Sequence, residues 1–217
     1  MTDLAIVSGG LAQPSSTRLL ADRLGAAVRD ALADSGHTVS TTVVELRPLA
    51  HQIIDAALSG FAPPDLEAAF EVVSAADGLI AVSPAFNASY SGLFKSFFDA
   101  LPSEALTDLP VLLGATGGTE RHSLMLDHAL RPLFTYLRAV VAPTGVYATT
   151  ADFGADDEGS APLDARIARA AQDLARLLGD PRPRRHRDAW DEDVGAMRHL
   201  LTARHDGVDD ARHHGVS

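Results

Sequence analysis

The chain has 217 residues, a formal net charge of −11 at neutral pH and a hydrophobic content of 46%, which suits one packed domain with a tail. It contains no cysteine, which excludes disulfide bonds, thiolate catalysis and cysteine-ligated metals. The acidic balance disfavours nucleic acid as a partner, because surfaces that bind nucleic acid are generally basic. No run approaches the roughly 20 apolar residues of a membrane span, and no leader-like segment precedes the first strand, so we expect a cytoplasmic protein without a membrane partner.

Apolar runs and helical periodicities alternate along the chain. Strands are predicted at residues 4–8, 38–46, 78–83, 111–116 and 140–147. Helices are predicted at residues 16–34, 64–74, 91–101, 122–138 and 163–178. This alternation predicts an α/β fold, a doubly wound five-stranded parallel sheet with strand order 2-1-3-4-5. We expect one domain over residues 1–179 and a C-terminal tail over 180–217, in which the pattern at 188–204 suggests one short helix before a disordered end.

The loop after the first strand, at residues 8–17, has the sequence Ser-Gly-Gly-Leu-Ala-Gln-Pro-Ser-Ser-Thr and leads directly into a helix. Free N–H groups at a helix start, the helix dipole and neighbouring hydroxyls together attract an anion. The alternative is that Ser15 only caps the helix and the glycines only turn the chain. Neither G-x-x-x-x-G-K-[ST] nor G-x-G-x-x-G is present, so a phosphate held here indicates a flavin mononucleotide (FMN) rather than ATP, GTP or a dinucleotide.

A second loop, at residues 83–92, combines a proline with aromatic and amide side chains. Pro84 fixes the backbone, Phe86 and Tyr90 offer aromatic surface to a planar ligand, and Asn87 supplies a donor and an acceptor. A loop that is buried by its own aromatic side chains is the competing interpretation.

A third loop, Thr-Gly-Gly-Thr-Glu at residues 116–120, permits close approach of a ligand to the backbone. Its N–H groups would face the O2/N1 edge of a flavin, where negative charge develops on reduction. An ordinary strand-to-helix turn would have the same composition. Because parallel strands present their carboxyl ends at one edge of a sheet, we expect the three loops to converge there.

These segments resemble the NAD(P)H-dependent FMN reductases of the flavodoxin-like superfamily, and among them the reductases that supply reduced flavin to two-component monooxygenases. The resemblance covers residues 3–178. Its most specific part is Ser-Pro-Ala-Phe-Asn-Ala-Ser-Tyr-Ser-Gly-Leu-Phe-Lys at 83–95, followed by Ala-Thr-Gly-Gly at 115–118. Further support comes from residues 8–17, 75–78 and 126–133.

The resemblance implies hydride transfer from NADPH or NADH to FMN, with no catalytic side chain and no metal. It also implies a homodimer or homotetramer and a flavin-dependent monooxygenase as partner. The implied FMN contacts are Ser8, Ser15, Ser16 and Thr17 for the phosphate, Pro84, Ala85, Phe86 and Asn87 for the ring, and Thr116, Gly117 and Gly118 for the pyrimidine edge.

The chain departs from the family pattern at Ala12, where many relatives carry an arginine, and at Ser16, where some do. The loss of two cations suits an enzyme that releases its flavin. Arg18 and Lys95 are the cations nearest the loops, and they either meet NAD(P)H phosphates or are solvated surface residues.

Two histidines lie in the fourth predicted helix. His128 occupies a position where some relatives have a tyrosine linked to assembly and flavin exchange. His122 begins the same helix near the glycine turn, where it would contact nicotinamide or incoming flavin. For both, an exposed helical histidine without such a role is the alternative.

Two other functions remain open from the sequence. One is a quinone or azo reductase that retains its FMN, and the other is a non-catalytic flavin electron carrier. The preference for NADPH or NADH and the number of subunits are also open.

Overall fold

In a computed structural model, the described residues are 1–154 and 157–179, and the side chains of 157–162 are not described. The predicted tail at 180–217 lies outside the described residues. The described part forms one sheet with helices on both faces. The strands are β1 (Thr2–Ser8), β2 (Val39–Glu45), β3 (Gly78–Phe86), β4 (Ser89–Tyr90), β5 (Pro110–Gly117), β6 (Val140–Val141) and β7 (Val146–Thr149).

The strand order is β2-β1-β3-β5, with β6 and β7 both paired to β5. All pairings are parallel except that of β3 with β4, so the predicted doubly wound parallel sheet and its fold class are confirmed. The predicted fifth strand is two short strands, of which β6 pairs with the start of β5 and β7 with its end. Pro143 lies in the gap between them, where a residue without an N–H cannot continue the ladder.

The helices are α1 (Ser16–Ala33), α2 (Ala50–Ser59), α3 (Pro64–Ala75), α4 (Gly92–Ala100), α5 (Arg131–Tyr136) and α6 (Asp157–Gly179). Helix α2 was not predicted from the sequence, because it buries only Ile53 and Ala56 and has no side-chain cap at its start. None of the described helices is both long and apolar enough to cross a membrane.

The predicted helix at 122–138 is wrong as a single regular element. A 3₁₀ turn at Glu120–His122 and a π-helix at Leu126–Leu130 precede α5. Within the π-helix, the N–H of Arg131 donates to the carbonyl of Leu126, five residues back. The side chains still repeat at roughly helical spacing, with Leu126 and Leu130 buried, and the sequence pattern therefore does not reveal the extra residue.

The core has two layers, one on each face of the sheet. On one face Phe94, Phe97, Phe98 and Phe134 form an aromatic cluster in which the Phe94 and Phe98 ring centroids are 4.8 Å apart. On the other face, α1 and α6 cover the sheet with leucines, including Leu20, Leu24 and Leu174. Each fully buried side chain of this size contributes about 1.5–3 kcal/mol. This packing holds the carboxyl ends of the strands in fixed positions.

Candidate functional site

The sheet register places the three predicted loops side by side. Ser8 at the end of β1 is level with Val82 in β3, and Pro84 in β3 is level with Thr116 near the end of β5. The loops that follow β1, β3 and β5 therefore lie next to one another at the carboxyl ends of these neighbouring strands.

The first loop leads into α1, and Ser15 caps the start of this helix. The hydroxyl of Ser15 accepts a hydrogen bond from the Arg18 N–H at 3.2 Å, and Ser16 is exposed at the first turn of α1. A Cβ on Gly10 would lie 2.1 Å from the Ser15 Oγ and 3.1 Å from the Thr17 Cβ, so a larger residue here would require the Ser15 side chain to shift. Ser8 is 2% exposed beneath it. Hydroxyls and helix-start N–H groups form a donor set that fits a phosphate.

Thr17 contacts the third loop, which the sequence did not indicate. Its hydroxyl lies 2.8 Å from the hydroxyl of Thr116, and both side chains are 3% exposed. The pair joins the first loop to the third, and so sets the distance between the predicted phosphate and pyrimidine ends of the ligand. The phosphate role of Thr17 stays a prediction.

The second loop is a β-hairpin. β3 continues to Phe86, and Asn87 and Ala88 then form a two-residue turn with φ of 50° and 66° before β4. Positive φ at both turn residues matches the right-handed twist of the paired strands. Phe86 remains 45% exposed, and Asn87 is exposed at the tip. Phe86 therefore does not bury this loop and leaves aromatic surface accessible.

The base of the hairpin is held by Ser83, which is fully buried. Its hydroxyl donates to the Pro84 carbonyl at 3.0 Å and accepts from the Ser91 N–H at 3.0 Å. Ser91 in turn caps α4 through a hydrogen bond from the Phe94 N–H. The predicted ring-binding residues Pro84, Ala85, Phe86 and Asn87 thus extend from an anchored base.

The third loop is fixed by Tyr147, a residue that the sequence analysis did not select. The Tyr147 hydroxyl donates to the Thr119 carbonyl at 2.9 Å, and burial raises the pKa of this phenol. A Cβ on Gly117 would lie 2.0 Å from the same hydroxyl oxygen, which explains the glycine there. At Gly118 a Cβ would meet no atom within 4 Å, so the second glycine faces open space. No local motif marks Tyr147, because it lies in β7, 28 residues from Thr119.

A cavity of about 240 Å³ borders the first loop. Its lining residues are Ser8, Gly10, Ala12, Gln13, Ser15, Arg18, Leu19, Asp22, Glu45, Arg47 and Pro48. Of the predicted phosphate residues, Ser8 and Ser15 line this cavity.

The charges in the cavity wall form a network around Arg18. Its Nε donates to Asp22 at 2.8 and 3.0 Å, and its Nη1 donates to Glu45 at 2.5 Å. The hydrogen bond to Asp22, followed by that to Glu45, raises the pKa of Arg18. Lys95, the other predicted cation, pairs with Asp99 on α4 and is not part of this wall. Glu45 could have been found in the sequence only by its place at the carboxyl end of β2.

His122 and His128 are both exposed, His122 in the 3₁₀ turn and His128 in the π-helix. Among the described residues, no group of three or more His, Asp or Glu side chains is arranged to hold a metal ion.

The sheet order and the convergence of loops at its switch point define a flavodoxin-like α/β protein. The family model described as NADPH-dependent FMN reductase matches residues 2–154. The chain therefore belongs to the NADPH-dependent FMN reductase family.

Individual relatives agree with the family match. The FMN reductase (NADPH) of Pseudomonas aeruginosa is 43% identical over 173 residues, which cover 80% of this chain and 90% of that protein. The NADH-dependent FMN reductase SfnF of Pseudomonas fluorescens is 44% identical over 174 residues, with the same coverage of 80% and 90%. The X-ray structure of an oxidoreductase from Corynebacterium diphtheriae superposes with a TM-score of 0.80 at 47% identity, over 84% of this chain and 99% of that chain.

Proposed function

We propose that this protein transfers a hydride from NADPH or NADH to FMN and releases the reduced flavin to a partner flavin-dependent monooxygenase. The predicted NAD(P)H:FMN oxidoreductase activity is confirmed by the family match and by relatives that are 43% and 44% identical. The release step and the partner are our proposal. The observation that supports release is the first loop, where Ala12 and Ser16 carry no positive charge and the adjacent Arg18 is shared by two carboxylates.

We assign the phosphate to the first loop, where Ser8, Ser15, Ser16 and Thr17 surround the start of α1. Main-chain N–H groups and the helix dipole act there on a charged group. The ring then lies along the hairpin, against Pro84, Ala85, Phe86 and Asn87. The exposed aromatic face of Phe86 supports this assignment.

The turn at Thr116, Gly117 and Gly118 faces the pyrimidine edge in this proposal. Bound flavin supplies the hydride-accepting chemistry. The residues of the chain stack and orient the two rings, and N–H donors of the glycine turn stabilise the negative charge that develops at the O2/N1 edge. Tyr147 keeps that turn in place through its bond to Thr119.

We further propose a homodimer or homotetramer that includes the surface around the π-helix. Leu124 is 62% exposed and Tyr136 is 85% exposed on either side of it, and His128 lies between them in sequence. Light scattering at micromolar concentration distinguishes a monomer from these assemblies. The cytoplasmic location stays a prediction.

The decisive experiment measures NADPH and NADH oxidation with and without added FMN, after gel filtration to remove loosely held flavin. We expect colourless protein whose activity depends on free FMN, and the two KM values give the coenzyme preference. Yellow protein that reduces a quinone or an azo dye without added FMN would show an FMN-retaining reductase instead. Protein that binds FMN but oxidises neither coenzyme would be an electron carrier.

The variant Ser16→Asp tests where the phosphate lies. An aspartate in the first helical turn suits the dipole and preserves folding, but it repels a phosphate. We expect the KM for FMN to rise by about tenfold, on the order of one repulsive charge contact at partly exposed distance. Ser103→Asp, in the exposed connection before β5, is the matched control and should leave the KM unchanged. Equal KM values for Ser16→Asp and Ser103→Asp would contradict the assignment.

A further inference from the structure

The side chains that line the cavity beside the first loop have an unusual charge balance for a site that receives a phosphate. Two arginines, Arg18 and Arg47, and two carboxylates, Asp22 and Glu45, line it, so its charged side chains sum to zero. The phosphate of a mononucleotide carries about −1.5 to −2 charges at neutral pH. Such a ligand is ordinarily met by an excess of positive charge.

Arg18 is positioned for both the carboxylates and the loop. Its backbone N–H bonds to the Ser15 hydroxyl of the loop, and its guanidinium bonds to Asp22 one turn along α1 and to Glu45 at the end of β2. These two partners engage two of the five guanidinium N–H groups, and the others remain to contact a ligand. The side chains of Asp22 and Glu45 are 48% and 44% exposed, so neither carboxylate is needed to satisfy a buried charge.

We propose that Asp22 and Glu45 set the affinity for the FMN phosphate by neutralising Arg18 and repelling the phosphate. This inference rests on the proposed function, because it assumes that the first loop receives the phosphate. The carboxylates hold Arg18 at the cavity wall, where it recognises a phosphate, but they cancel most of its attraction. The site then selects a phosphorylated flavin and still lets it dissociate after reduction.

The ion pairs of Arg18 with Asp22 and Glu45 are partly exposed and add little to stability. A surface pair of this kind contributes about 1 kcal/mol or less to stability. Arg47 lines the same cavity and is exposed, so an uncompensated pair of cations would face the loop if both carboxylates were absent. Asp22 and Glu45 therefore act as affinity-determining residues for a ligand that they do not themselves attract.

The test measures equilibrium binding of FMN and of riboflavin, which lacks the phosphate, by quenching of flavin fluorescence. For Asp22→Asn and Glu45→Gln we expect the FMN Kd to fall by about threefold each, and by about tenfold in the double variant, as expected for exposed charge pairs. Riboflavin binding should not change. The gain for FMN should shrink at 0.5 M salt, because screening weakens exposed charges.

Asp164→Asn is the matched control. Asp164 pairs with Arg23, another arginine of α1, but it is not among the cavity residues. This variant should bind FMN as the unaltered protein does. Arg18→Gln combined with Asp22→Asn should lose the gain, since Arg18 is then no longer present to be released.

The outcomes separate this inference from the proposed function. If the unaltered protein neither binds nor reduces FMN, the proposed function fails. If it reduces FMN but Asp22→Asn and Glu45→Gln leave the FMN Kd unchanged, only the inference is overturned. Equal tightening of riboflavin would also overturn it, because the effect would not involve the phosphate. A change confined to the KM for NADPH, without one for NADH, would assign the charge network to the coenzyme phosphate instead and would likewise overturn it.

Discussion

Thr17 and Thr116 are 99 positions apart in the chain, and their hydroxyl oxygens lie 2.8 Å apart in a buried position. One of the two hydroxyls donates a hydrogen bond to the other. Removal of one partner leaves a buried polar group without a hydrogen bond, whereas removal of both replaces the pair by apolar atoms of the same shape. This single contact links two of the three loops of the site.

We expect Thr17→Val and Thr116→Val each to lower the free energy of unfolding by about 1–3 kcal/mol. The double variant should lose less than the sum of the two. Urea unfolding at neutral pH measures all three, and Thr42→Val on the exposed side of β2 is a control that should be near neutral. Strictly additive losses would show that the two hydroxyls do not interact.

The structure gives a physical cause for Gly117 that differs from the one expected from the sequence. From the sequence, we expect this glycine to permit close approach of a ligand to the backbone. In the structure, the Tyr147 hydroxyl occupies the space that a Cβ at Gly117 would need. Gly118, beside it, is the glycine that faces open space.

Asp152 connects the end of β7 to α6. Its Oδ2 accepts from the N–H and the hydroxyl of Thr149, both at 2.7 Å, and its Oδ1 accepts from Arg166 of α6 at 2.5 Å. Arg166 also donates to the Tyr147 carbonyl at 2.5 Å. One carboxylate thus connects the 3₁₀ turn at Ala151–Phe153 to α6, next to the tyrosine that fixes the third loop.

This network predicts sensitivity to acid. Burial alone would raise the pKa of Asp152, but the bonds from Thr149 and the charge of Arg166 outweigh it and lower the pKa. A carboxylate with a lowered pKa stabilises the folded state fully above its ordinary pKa of about 3.9, and this stabilisation is lost as the pH falls through the lowered value.

Asp152→Asn should therefore lower the free energy of unfolding at pH 7 by about 1–3 kcal/mol, the range for hydrogen bonds to a charged group. The loss should be smaller at pH 3, where the unaltered protein has begun to lose the same contribution. Urea unfolding at the two pH values measures both losses. Asp30→Asn, at an exposed position on α1, is the control. An equal loss at pH 7 and pH 3 would exclude a role of the carboxylate charge.

At the scale of the whole molecule, the proposed ligand contacts the loops that follow β1, β3 and β5. These strands lie between the two core layers. Binding of FMN to the folded state alone should raise the stability of the described domain as one unit. At a concentration of 100 times its Kd, the expected gain in free energy of unfolding is about 2.7 kcal/mol.

Thermal unfolding with and without FMN measures this gain as an increase in Tm. Riboflavin at the same concentration should give a smaller increase, because it lacks the group held by the first loop. If FMN at every concentration leaves the Tm unchanged, the result would contradict a binding site at the carboxyl ends of the strands in the folded protein. If riboflavin raises the Tm as much as FMN does, the main contacts of the protein are with the ring and not with the phosphate.

The sequence by itself determined the alternation of strands and helices, and hence a parallel α/β sheet, together with the three loops of the site. These features follow from short-range signals: apolar runs for strands, helical periodicity, and clusters of glycine, proline and hydroxyl residues in turns. The tail at 180–217 stays a prediction, as do the ligand contacts.

Only the tertiary structure decided the split of the last strand, the π-helix, the Thr17–Thr116 bond, the packing of Tyr147 on Gly117, and the placement of Glu45 and Asp22 around Arg18. Most of these depend on contacts between residues that are distant in the chain, and the π-helix on one extra residue in a helical turn. Local composition and periodicity carry no record of which distant side chain will occupy a given space or satisfy a given hydroxyl. Packing against the rest of the fold sets both.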